Sequence, residues 1–310
     1  MPATASTTPE RNALSAALIA VLLWSTVATG FKLGLAVLAP AQLLLGTTIS
    51  AAVFVIAASV TSSWEINRRS LAEAAVFGLV NPCLYYLVLF EAYDRLPAQI
   101  AQPLNYTWAI TLAVLAVPIL KQPLSRGTLV GIVISYAGVL VLLSQGSFER
   151  VPDLNWIGVA LALASTLVWA SYWLMNTRST SNALSLMALS FLIAIPILTL
   201  VCLTGPGLPG LRIEALIFGS WVGLIEMGVT FLLWQRALRL TNHAARIGQL
   251  IFISPFVSLM LISEVLGEQI HLTSVVGLAV IVLGFAVTRR TTRRSGLRPR
   301  IRKSANPRVR

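Results

Sequence analysis

Apolar residues run along this chain in ten stretches of roughly 20 residues, the length a helix needs to cross a bilayer. They cover approximately 13–38, 41–61, 71–91, 97–120, 127–144, 155–175, 183–202, 213–239, 243–264 and 272–288. Backbone groups in hydrocarbon must be hydrogen-bonded within their own segment, so each stretch predicts a helix. The breaks between them are short and rich in turn formers: Ala39-Pro40, Leu96-Pro97, Gln122-Pro123 and Gly205-Pro206-Gly207. Neighbouring helices are therefore expected as antiparallel hairpins, with no room for a soluble domain. The fold class is an all-α polytopic membrane protein with ten transmembrane helices.

Composition sharpens this. The 310 residues are 56% hydrophobic and 11% charged, with a mean hydropathy of +0.81, against about a quarter charged in soluble domains. So few charges cannot clothe a water-facing surface. The net charge of +12 would read as a nucleic-acid signal if it were spread over the body. It is not. Residues 289–310 hold ten of the 23 Lys and Arg and no acid, leaving 13 basic against 11 acidic groups before them. No nucleic-acid partner is expected; the basic tail suits an anionic lipid surface, where each charge is worth about 1 kcal/mol.

Lys and Arg also predict orientation, because they concentrate on the cytoplasmic side. With the N-terminus inside, the inner segments collect 19 of them and the outer side keeps Lys32, Arg95, Arg150 and Arg212. A multi-pass protein of the cytoplasmic (inner) membrane with both termini cytoplasmic is expected. The polar start, MPATASTTPERN, lacks the features of a signal peptide, and no processing is expected.

The chain also reads as a duplication. Leu23-Trp24-Ser25 recurs as Val168-Trp169-Ala170, Phe77-Gly78 as Phe218-Gly219, and Gly131 and Gly138 as Gly277 and Gly284. Chance likeness between apolar segments is the alternative, but the order and near-constant spacing favour a repeat. The expected organisation is a tail at 1–12, five helices over 13–144, five over 155–288, and a basic tail at 289–310. Five is odd, so the second repeat would enter the membrane inverted, the architecture of many secondary transporters.

Paired five-helix units of this kind resemble the EamA-type drug/metabolite transporter superfamily. LLWSTVATGFKLGL (Leu22–Leu35) is similar to its first helix, Lys32 included. LISEVLGEQIHLTSVVGLAVIVLG (Leu261–Gly284) is similar to its closing helix pair, with Glu268 as the acidic residue; Gln122 stands at the equivalent place in the first half. The aromatic third, fourth and sixth spans look most like bacterial amino acid exporters, the aromatic amino acid exporter among them. The resemblance implies export of small metabolites.

Polar and aromatic side chains at mid-membrane depth are costly there and mark candidate sites. On the fourth span, Gln99, Gln102, Asn105, Tyr106 and Trp108 share half the circumference at 100° per residue; interhelical packing is the competing explanation. The sixth carries Ser165, Trp169, Tyr172, Trp173 and Asn176 on one arc. The third offers Asn81, Pro82, Tyr85 and Tyr86, and the first places Trp24 inside the span. Lys32 reads either as a contact for a substrate carboxylate or as a lysine snorkelling to the interface. Glu226, mid-way along the eighth span, reads as a coupling site, as the contact for a substrate ammonium, or as part of a helix-packing seam with Gly219 and Gly223. Gln249 is its expected neighbour.

Cys83 and Cys202 lie in apolar runs and form no metal framework, and no phosphate loop or hydrolase motif occurs. No cofactor, metal or catalytic residue is expected. The reading is a secondary transporter of amino acids or similar amphipathic metabolites, not an enzyme. A multidrug exporter that neutralises a cation at Glu226, and a non-transporting membrane enzyme or scaffold, remain the alternatives.

Overall fold

The computed structural model describes residues 8–60, 64, 66–120, 126–146, 154–210, 212–241, 247 and 250–294, and every regular element among them is helical. In chain order these are α1 (Thr8–Ser25), α2 (Val27–Leu35), α3 (Pro40–Ser59), α4 (Arg68–Gly78), α5 (Tyr85–Arg95), α6 (Ala98–Tyr106) and α7 (Trp108–Leu120). They continue as α8 (Arg126–Leu143), α9 (Trp156–Asn176), α10 (Ala183–Thr204), α11 (Ile213–Leu224), α12 (Thr230–Leu240), α13 (Ser254–Leu266) and α14 (Leu272–Arg294).

Local chemistry sets many of the ends. Asn67, Asn155 and Asn182 accept from the free N–H groups of Ser70, Gly158 and Leu184, as N-caps do. Gly267 closes α13 at φ 67, a left-handed conformation that only glycine adopts freely.

Eight helices among the described residues are long and apolar enough to cross a membrane, and Leu250–Leu266 and Leu272–Val287 are shorter apolar helices. The ninth expected span is where the difference lies. Its described part opens as a tight 3-10 turn, Leu250–Ile253, before α13. Pro255 then sits in the first helical turn, where its missing N–H costs nothing, rather than at mid-span.

Four spans are broken. α1 passes to α2 at Thr26, and α6 to α7 at Thr107. The third and eighth spans instead widen into π-turns, Leu79–Leu84 between α4 and α5 and Ile225–Val229 between α11 and α12. These two spans are equivalent: each bound of Ile213–Leu240 lies 145 residues beyond the matching bound of Arg68–Arg95. That spacing moves one expectation. Gly78 pairs with Gly223 rather than Gly219, one turn away on the same face. A Cβ on Gly78 would meet the Ser190 carbonyl of α10, and one on Gly223 the Thr47 carbonyl of α3.

Packing repeats under the same shift. α1 packs on α12 as α9 packs on α5, and α11 packs on α3 as α4 packs on α10. At the joint between halves, α8 and α14 run antiparallel: Gly138 lies against Gly277, and Gly131 against Gly284. A Cβ on Gly138 or Gly277 would stand 2.7 Å from the other's carbonyl oxygen. Small residues let the two backbones touch where lipid supplies no hydrophobic drive.

Candidate functional site

The site grows from the first π-turn. Pro82 has no N–H to continue a regular helix, and Asn81 takes an extended backbone, φ −147 and ψ 112. The widened turn brings Asn81, Tyr85 and Tyr86 to face other helices. The Tyr85 hydroxyl lies 3.4 Å from Asn105 Oδ1, and Asn105 Nδ2 donates to Ser165 Oγ at 3.1 Å. The Tyr85 ring stacks on Trp169 at 4.5 Å, and Trp169 stacks on Tyr172 at 5.4 Å. Trp108 lies parallel to Trp173 at 6.4 Å and edge-on to Trp169. Tyr85, Asn105, Trp108, Trp169 and Trp173 thus converge from three spans.

Beyond this stack opens a narrow crevice of about 40 Å³, with Phe77, Asn81, Tyr172, Asn176 and Phe231 on its walls. It lies toward the end of the molecule bearing the 177–182 connection. Asn81 bonds Tyr172, yet its Oδ1 is buried without a partner, as are Gln102 Oε1 and Trp173 Nε1. Such orphans are not confined to this region: the hydroxyls of Thr47, Thr48, Ser258 and Thr273 are others among the described residues.

On the opposite side of Tyr85 stands Glu226, in the second π-turn. The Tyr86 hydroxyl donates to Glu226 Oε1 at 2.9 Å, and the Trp24 indole bonds the same carboxylate. Trp24 also packs against Trp234 at 5.4 Å. Glu226 forms no ion pair with any described residue. The packing reading survives beside the functional one, because Gly223 does press into the α3 seam.

Other expected contacts are spent elsewhere. The break at Thr107 ends the continuous polar arc drawn along the fourth span. Tyr106 turns from Asn105's partners to Ser254, which bonds Ser25 at 3.3 Å. Gln99 is 4% exposed and bonds Gln269, His271 and Ser274. Lys32 donates to the carbonyls of Tyr93 and Leu96 at 2.8 and 3.1 Å, at the C-terminus of α5. A cation there meets the negative end of the helix dipole. Its ammonium is thus committed to backbone, neither reaching the aromatic cluster nor snorkelling freely.

Glu268 accepts from the N–H groups of Ala98 and Gln99 at the start of α6, the complementary dipole arrangement. With buried Phe31, Phe90 and Tyr93 packed together beneath, these contacts seal the end opposite the crevice. Gln249 and Gln122 lie outside the described residues.

Sequence reasoning left Phe231 and Ser254 out. A signal for Phe231 was available: a shift of 145 pairs Asn81 with Glu226 and Tyr86 with Phe231. Ser254 carried none, because only packing brings it to Tyr106.

Two repeats with matching helix contacts surround a polar-aromatic centre. The EamA-like transporter family matches residues 11–144 and again residues 156–290. The chain belongs to the EamA-like transporter family. Uncharacterized transporter YyaM of Bacillus subtilis (strain 168) is 24% identical over 228 residues, 70% of this chain and 72% of the relative. An uncharacterized transporter in the sor 3'region of Acidianus ambivalens is 26% identical over 207 residues, 64% of this chain and 78% of the relative. A solved protein structure superposes with a TM-score of 0.62 at 18% identity, covering 92% of this chain and 99% of that one, which speaks to the fold alone. This EamA family member is therefore a multi-pass membrane transporter, and its two repeats coincide with the two matched regions.

Proposed function

We propose that this EamA-family protein is a secondary transporter exporting amino acids or similar small amphipathic metabolites across the cytoplasmic membrane by alternating access. One observation carries the reading: an aromatic and amide centre contributed by both repeats adjoins a narrow crevice toward one end and is covered at the other. Tyr85, Trp169, Trp108 and Trp173 offer apolar walls, while Asn81, Gln102 and Asn105 offer hydrogen bonds to a solute stripped of water. Glu226 offers the one mid-span charge among the described residues.

The crossed contacts of α8 and α14 support inversion. Gly131 and Gly277 are equivalent, as are Gly138 and Gly284, and exchanging each glycine for its counterpart turns the Gly131–Gly284 contact into the Gly277–Gly138 contact. That exchange is the signature of a two-fold relation between halves, and an axis in the membrane plane makes one half the upside-down image of the other. Ten spans follow if the two shorter apolar helices also cross. By the Lys and Arg bias, the crevice faces the cytoplasm, as a carrier awaiting cytoplasmic substrate would be. The basic tail then lies beside anionic lipid.

Counterflow of radiolabelled amino acids into liposomes holding the purified protein tests the proposal. Accumulation should fall several-fold in Trp108→Ala and Asn105→Ala, with normal expression. Absence of counterflow for every amino acid would sink the amino acid reading, and unchanged flux in both variants would remove the fourth span from the site.

A further inference from the structure

Glu226 presents a carboxylate served by neutral groups only, the Tyr86 hydroxyl and the Trp24 indole. No cation answers it among the described residues: Lys32 is bound to the carbonyls of Tyr93 and Leu96. A carboxylate in a low-dielectric interior without a counter-charge favours a ligand that brings one. The same surroundings oppose a second carboxylate, which would meet Glu226 with no cation between them.

We infer that the site selects its cargo by a protonated amine, held by Glu226, and discriminates against a free carboxylate on the same molecule. The inference rests on the transport reading above and narrows its substrate class: small amines with an apolar body, ahead of the corresponding amino acids. The aromatic walls suit that body and add cation–π attraction for its ammonium. An amino acid brings the same ammonium, but its carboxylate meets Glu226 with no cation between them.

Three ligands of one shape separate the charges: phenylethylamine, phenylalanine and phenylpropionate. Their binding to the purified full-length protein is read by quenching of tryptophan fluorescence, and their movement by counterflow in liposomes. Phenylethylamine should bind about tenfold more tightly than phenylalanine, the scale of one hydrogen bond to a charged group, and phenylpropionate most weakly. Glu226→Gln should lose that preference and Glu226→Asp should keep it. Equal or tighter binding of phenylalanine overturns the inference, and so does binding of none of the three. The ligand series on the unaltered chain decides even if Glu226→Gln does not fold. Amine binding without counterflow of any compound would uphold this inference and defeat the transport reading. Phenylalanine counterflow without amine preference would do the reverse.

Discussion

The two π-turns, Leu79–Leu84 and Ile225–Val229, hold equivalent places in the two repeats and do different chemistry. Each follows a glycine, Gly78 or Gly223, that lets its helix press on a neighbouring backbone. Each then aims a polar side chain at the centre, Asn81 in the first and Glu226 in the second. The opposing residues have diverged as well. Glu226 meets Tyr86 and gains a hydroxyl donor; Asn81 shares the crevice wall with Phe231, and its oxygen is left without a partner. The shared frame is a backbone device, whereas the charge and its hydrogen bond belong to one half alone. Duplication thus fixed the shape of the site twice and left its chemistry free to become asymmetric.

The comparison breaks most severely at the glycines. Gly78→Val and Gly223→Val should each lower thermal stability sharply, since overpacking a rigid seam costs about 1–3 kcal/mol or more. A melting experiment in detergent in which only one variant suffers would show that the two seams are not equivalent.

An exchange of side chains comes next in size. Glu226→Asn alone should cut amine binding about tenfold. Adding Asn81→Glu should not restore it, because Phe231 supplies no hydroxyl where Tyr86 does. Full recovery in the double variant, read by the same quenching titration, would mean that position within the repeat is immaterial.

The smallest effect concerns the orphan oxygen. Phe231→Tyr offers Asn81 a donor and should stabilise the protein by about 1 kcal/mol, the net worth of one hydrogen bond. No gain, or a loss, in melting temperature would show that Phe231 and Tyr86 do not occupy equivalent places.

Much of this was legible along the chain. Long apolar runs bounded by Pro and Gly can fold in a bilayer only as helices, and Trp24 against Trp169 announced the duplication. Asn81, Tyr85, Asn105, Trp108, Trp169 and Glu226 stood out because polar or bulky aromatic groups in apolar runs are costly without a purpose. Less legible was which of them meet. Helical periodicity placed Gln99 and Asn105 on one face, but a face says nothing about the partner opposite. Gln99 is spent on the 269–274 segment and Asn105 on Tyr85 and Ser165. The break at Thr107 escaped notice because a 100° wheel presumes an unbroken helix. Lys32 and Glu268 drew attention by their charge, yet both bind helix ends, a use fixed by partners more than 60 residues away.

By itself the sequence determined the medium, the helices, the repeat and the set of residues worth watching, since each depends on local composition and period. Only the tertiary structure decided that the widened turns coincide in the two repeats, that Glu226 stands among neutral donors, and that the site is closed at one end. Those facts depend on contacts between helices distant in the chain, and a hydrogen bond has no direction until its partner is in place.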